Sequence, residues 1–130
     1  MGRNFDDERN LIPATLAWAR SLDVGKWADR LAKLRPKSLN VVASGGSFGA
    51  AQLIAQLHGD HEGPLSVAMT PLDFISNVTH TEAAVWFLSA SGSNQEILQA
   101  WRAAQEREVR DVIVMCGTVE SPLVNEAKAH

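Results

Sequence analysis

At 130 residues, with 45% apolar and 21% charged content, the chain is long enough for one domain with a real core and too apolar for disorder. A net charge of −3, with the 12 Lys and Arg scattered among acids, leaves no basic footprint and argues against a nucleic-acid surface. The sequence shows no signal peptide or membrane span, and its single cysteine, Cys116, has no partner for an internal disulfide, which fits a reducing, cytoplasmic setting.

Met1 to Arg9 reads as a polar, frayed end. Apolar residues at Ile12, Leu16 and Ala19, then Trp18 and Leu22, recur at helical spacing, with Pro13 tolerable in a first turn. Asp23 is placed to cap a second helix with a buried stripe of Trp27, Leu31 and Leu34, ending before Pro36. Residues 1–36 therefore form a helical segment, and 37–130 a separate run in which strands and helices alternate.

In that run Val41-Val42-Ala43 is a short strand. The turn Ser44-Gly45-Gly46-Ser47-Phe48-Gly49 follows, then a helix over Ala50 to Leu57. Leu65 to Met69 is a strand and Pro71 to Ser76 a short helix or turn. Ala84-Val85-Trp86-Phe87-Leu88, apolar throughout with β-branched and aromatic members, reads as an interior parallel strand. It breaks into Ser89-Ala90-Ser91-Gly92-Ser93-Asn94 and a helix to about Arg107, with Ile97, Trp101 and Ala104 on one face. Asp111 to Met115 is a fourth strand. Ser121 as cap and Pro122 at the first helical position open a last helix.

This alternation predicts an α/β fold, a three-layer parallel sheet of about four strands with helices on both faces. Right-handed crossovers put every strand-to-helix turn on one edge, so the Ser44 to Ser47 and Ser89 to Asn94 turns become neighbours around one crevice. Ser93 followed three residues later by Glu96 reads as a capping box, which starts the helix beside three serine hydroxyls. Free amides and hydroxyls together suit a phosphate. The plainer readings are an ordinary turn with an N-cap at the serines, and a tight turn for helix packing at the glycines.

Other residues invite chemistry less. His58, His61 and Glu62 read as solvated loop residues rather than metal ligands. His80 stands just before the interior strand, where a proton shuttle is chemically feasible. Cys116 reads as a core-edge residue, and Trp27 and Trp101 as core or interface. A dinucleotide-dependent reductase of the Tyr and Lys type is excluded, since the sequence contains no tyrosine.

Gly45-Gly46-Ser47-Phe48 after a strand, the Pro71-Leu72-Asp73-Phe74 turn, Ser89-Ala90-Ser91-Gly92-Ser93-Asn94-Gln95-Glu96, and Ser121-Pro122-Leu123 opening a last helix together resemble the SIS, or sugar isomerase, domain over roughly Leu39 to Ala129. The resemblance implies a flavodoxin-like (Rossmann-type) sheet and a phosphosugar site contributed by Gly46, Ser47, Ser89, Ser91, Ser93 and Asn94, without cofactor or metal. Asn94 departs from the Thr or Ser usual there, and Asp73 from a common Glu. A strand and helix beyond His130, where the family often carries its acid and base, are expected to be missing, so the catalytic residues are unknown. The implied partners are a small sugar phosphate and a second copy of the chain, or another chain that completes the sheet.

Three functions fit these expectations. One is part of a sugar-phosphate isomerase or a related amino-sugar-phosphate enzyme. Another is a non-catalytic sugar-phosphate sensor, and the third is a structural subunit completed by a partner.

Overall fold

The computed structural model describes residues 4–61, 64–79 and 82–130. The chain divides into two compact units, Met1–Ala32 and Lys33–His130.

In the first unit, helix α1 (Phe5–Ser21) starts well before the expected Ile12. The residues read as frayed supply an acidic first turn, Asp6, Asp7 and Glu8, which suits the positive end of a helix, and Arg9 pairs with Asp6 at 3.2 Å. Pro13 consequently lies inside α1 rather than in its first turn. Asp23 Oδ1 accepts the N–H of Gly25 at 2.9 Å and opens α2 (Gly25–Leu34). The expected buried stripe of α2 is corrected: Trp27 and Leu31 are exposed, and only Leu34 is buried.

The second unit is a four-stranded, wholly parallel sheet in the order β2-β1-β3-β4, formed by β1 (Leu39–Val42), β2 (Ser66–Met69), β3 (Ala84–Ser89) and β4 (Val112–Cys116). β3, buried from Ala84 to Leu88, is interior, as is β1, and β2 and β4 form the edges. Alternation along the strands divides the core between two faces. Val41, Ala43, Trp86 and Leu88 pack with Ala51 and Ala55 of α3 (Ser47–Asp60) and with Leu34. Val42, Val85 and Phe87 pack with Phe74 of α4 (Pro71–Asn77), with Ile97, Trp101 and Ala104 of α5 (Gln95–Glu106), and with Leu123 of α6 (Pro122–Lys128). Phe87 stands edge-on between Phe74 and Trp101, with ring centroids 5.8 and 5.9 Å away.

The neighbouring central strands β1 and β3 thus send their chains to opposite faces, into α3 and α5. That is the switch point at which open α/β sheets hold ligands.

Short contacts fix the helices. Thr70 and Asp73 form a reciprocal capping box at the start of α4, and the Arg107 guanidinium donates to the carbonyls of Phe74 (3.1 Å) and Ile75 (2.7 Å) near its end. Lys37 pairs with Asp111 below the strands. Arg102 of α5 holds Glu126 of α6 through two hydrogen bonds, at 2.5 and 3.1 Å.

The turn after β3 is wedged against the loop after β4. Gly92 is buried with φ +65°, and a Cβ there would fall 2.3 Å from Ser121 Oγ and 2.7 Å from Cys116 Sγ. Its carbonyl accepts the N–H of Leu123 at 3.0 Å. Gly117 N donates to Ser89 O at 3.0 Å, and Thr118 Oγ1 to Ala90 O at 3.1 Å.

Two outcomes follow. Gly92→Ala should lose roughly 3–5 kcal/mol in denaturant unfolding, because left-handed strain and overpacking coincide there; Gly45→Ala, at φ +56° with open space around it, should lose only about 1–2 kcal/mol. Hydrogen bonding from Arg102, against a smaller effect of burial, holds the Glu126 carboxyl below its ordinary value. Its contribution is present above the ordinary carboxylate range and is lost as pH falls through the depressed value. The melting-temperature advantage of wild type over Glu126→Gln should therefore be greatest near neutrality and vanish in acid.

Candidate functional site

At the carboxyl end of β1, Gly45 takes up φ +56° and lets the chain turn straight into α3. The helix begins at Ser47, three residues earlier than the sequence suggests, with Gly46 as its N-cap. Ser47 is thereby a first-turn residue, half-buried, whose backbone N–H is one of those an α-helix cannot pair within itself. Gly46 is exposed, and a Cβ there would meet nothing within 4 Å. The turn is therefore open on the solvent side, and close helix packing does not explain its glycines.

At the end of β3 the three serines are used differently. Ser89 Oγ, half-buried, accepts the N–H of Gly92 at 2.9 Å and braces the turn from within. Ser91 Oγ is exposed and accepts from both the N–H (3.3 Å) and the hydroxyl (3.0 Å) of Ser93. The expected Ser93 and Glu96 capping box does not form. The N-cap is Asn94, one residue on, whose Oδ1 accepts the N–H of Glu96 at 2.8 Å, while the Ser93 hydroxyl goes to Ser91. Asparagine is as good an N-cap as serine, and here its extended backbone (φ −66°, ψ 127°) leads directly into Gln95.

The two turns meet. Asn94 Nδ2 donates to Ser44 Oγ across the crevice at 3.4 Å, a long bond between groups 50 residues apart. That link joins the residue that caps α5 to the turn that leads into α3, and the exposed Ser91 and Ser93 precede Asn94 in the same turn. An arrangement of hydroxyl and amide groups at two helix starts suits an oxyanion.

Among the described residues, the first turns of α4 and α5 carry the carboxylates of Asp73 and Glu96. Asp73 Oδ2 accepts from Thr70 N (3.3 Å) and Oγ1 (2.7 Å), within the α4 cap. His58 lies at the far end of α3, where Nδ1 is 2.5 Å from Ser66 Oγ and Nε2 3.1 Å from Leu34 O; His61 Nδ1 contacts Leu57 O at 2.8 Å. Glu62 and His80 lie outside the described residues. Among the described residues no group of three His, Cys, Asp or Glu converges on a point, and no helix is long and apolar enough to cross a membrane. A cavity of about 380 Å³ opens at the opposite, amino end of the strands, lined by Pro36, Lys37, Ser38, Pro64, Glu82 and Ala83, away from the serine turn.

Sequence reasoning missed two structural parts of this edge. Ser121 is buried and sits against Gly92 while capping α6 through Val124 N (3.4 Å), and Cys116 Sγ lies 3.5 Å from Ser121 Oγ. The Ser121-Pro122 pair signalled the cap, but nothing local signalled the contact. Ser44 was seen only as part of a turn, and its role as acceptor for Asn94 depends on β1 and β3 being adjacent.

No protein-family model matches the sequence, and no curated protein matches it. Among solved structures the fold is similar to that of a putative sugar-phosphate isomerase of Listeria monocytogenes, with a TM-score of 0.68 at 20% identity, over 96% of this chain and 71% of that one. It is also similar to tagatose-6-phosphate ketose/aldose isomerase of Escherichia coli, with a TM-score of 0.59 at 16% identity, over 94% of this chain and 33% of that one. The chain thus spans about a third of the Escherichia coli enzyme. At these identities the likeness is one of fold, an α/β architecture built on a parallel sheet.

Proposed function

We propose that the chain binds the phosphate of a small phosphorylated sugar in the crevice between the Ser44–Ser47 and Ser89–Asn94 turns, as the phosphosugar-binding domain of an isomerase or related amino-sugar-phosphate enzyme. The observation that carries this reading is the convergence of the two turns at the switch point between β1 and β3, where Asn94 reaches Ser44. Ser91 and Ser93 present exposed hydroxyls there, Gly46 and Ser47 bring the first turn of α3, and Ser89 keeps the loop in shape. The fold similarity to two sugar-phosphate isomerases supports the same reading.

In an aldose-ketose isomerisation the anchored phosphate fixes the sugar, while an acid and a base open the ring and move a proton between C1 and C2. A sensor needs only the anchor.

Thermal-shift titration with a panel of sugar phosphates, the matching free sugars and inorganic phosphate tests the proposal. A specific ligand at about 100 times its Kd should add about 2.7 kcal/mol of stability. Stabilisation by a sugar phosphate and not by its free sugar is the expected result; a folded chain that responds to none of them would overturn the reading. Ser91→Ala should weaken that ligand by about 1–3 kcal/mol and change the unliganded melting temperature little, since the two hydrogen bonds it accepts from Ser93 are exposed. Ser89→Ala should lower the melting temperature as well, because it removes the brace to Gly92 N, worth about 1 kcal/mol.

A further inference from the structure

We propose that Ser66 and His58 form a nucleophile and base pair at the amino end of the sheet, on the edge opposite the serine turns, and that the pair takes up the acyl group of a small carboxylic ester. His58 stands in the last turn of α3, and Ser66 opens β2. Register sets Ser66 beside Leu39 and Ala68 beside Val41, all on the face of the sheet that α3 covers. His58 Nδ1 consequently lies 2.5 Å from Ser66 Oγ, and both residues are half-buried. The other ring nitrogen, Nε2, lies 3.1 Å from the carbonyl of Leu34.

The chemistry follows from which nitrogen carries the proton. A carbonyl oxygen only accepts, so Leu34 fixes neutral His58 with its proton on Nε2 and leaves the Nδ1 lone pair facing Ser66. The hydroxyl has a second acceptor in the carbonyl of Pro64, at 3.2 Å, but its closer approach is to the imidazole. A hydroxyl held on a base that a third group orients is the arrangement that activates serine for attack on a carbonyl. Pro64 also lines the cavity of about 380 Å³ at this end of the strands, together with Lys37 and Ser38, which gives a small ester a place beside the pair. There Ser66 Oγ bonds to the acyl carbon, while His58 Nδ1 takes the hydroxyl proton and passes it to the departing alkoxide, which leaves as an alcohol. Water then cleaves the acyl-serine, releasing the carboxylic acid and restoring the hydroxyl. General-base activation of this kind contributes about 10²–10⁴-fold. A hydrogen bond that only tied α3 to β2 would keep the same distance and leave Ser66 unreactive.

Treatment of the full chain with p-nitrophenyl acetate, followed by peptide mass mapping, tests the pair. The expected result is an acetyl group on Ser66, formed about tenfold or more slowly in His58→Gln, with the near-ultraviolet signal of the buried Trp86 and Trp101 unchanged by the substitution. A second variant carries the test where His58→Gln fails to fold. The thiol introduced by Ser66→Cys should react with iodoacetamide about tenfold or more faster than Cys116 of the same molecule, because only the former sits on a base. Acetyl groups confined to lysines, acetylation of Ser66 at an unchanged rate in a folded His58→Gln protein, or an introduced thiol no more reactive than Cys116 would each overturn the proposal.

Discussion

The candidate site depends on the missing side chain at position 92. The loop that carries the exposed serines must pass close enough to the β4–α6 connection for its own carbonyl to accept a hydrogen bond from Leu123, and only a residue without Cβ, in a left-handed conformation, fits that passage. The loop then has a floor. Gly117 and Thr118 hold the carbonyls of Ser89 and Ala90, Ser89 ties Gly92 from within, and the hydroxyls of Ser91 and Ser93 are left on the solvent side. Preorganisation of this kind matters for anion binding, because polar groups already fixed in place need little ordering when a ligand arrives.

The strands were the most legible part of the chain, for a physical reason. A parallel strand covered on both faces must be apolar throughout, and Ala84 to Leu88 is; β1, β2 and β4 fell within a residue or two of their expected places. Sheet order followed from handedness and connection length, which is why the neighbourhood of the two turns was accessible before any coordinates. Helix starts were less legible. Capping is a competition among adjacent polar residues, and in Ser93-Asn94 either is a good cap; the winner was set by Ser91 engaging Ser93, a contact that spacing does not encode. The start of α3 was hidden by three glycines that read as a loop although two of them precede or cap the helix and one lies in its first turn.

The N-terminal helices show the opposite limit. Their apolar periodicity was plain, and it predicted burial at Trp27 and Leu31, which are exposed. Periodicity reports that a face is apolar and says nothing about whose surface covers it. The second unit has an apolar core of its own. Its two apolar layers are filled on either side of the sheet, with the Phe74, Phe87 and Trp101 rings interlocked on one of them.

Asn94 performs two tasks with one amide. Its oxygen starts α5, and its nitrogen touches the facing turn through Ser44. The width of the crevice and the integrity of a core helix are therefore adjusted by a single position. Aspartate would keep the cap and lose the donor, serine would keep a cap and shorten the reach, and alanine would forfeit both. A substitution at 94 therefore acts on two features at once, the spacing of the two turns and the way a core helix begins.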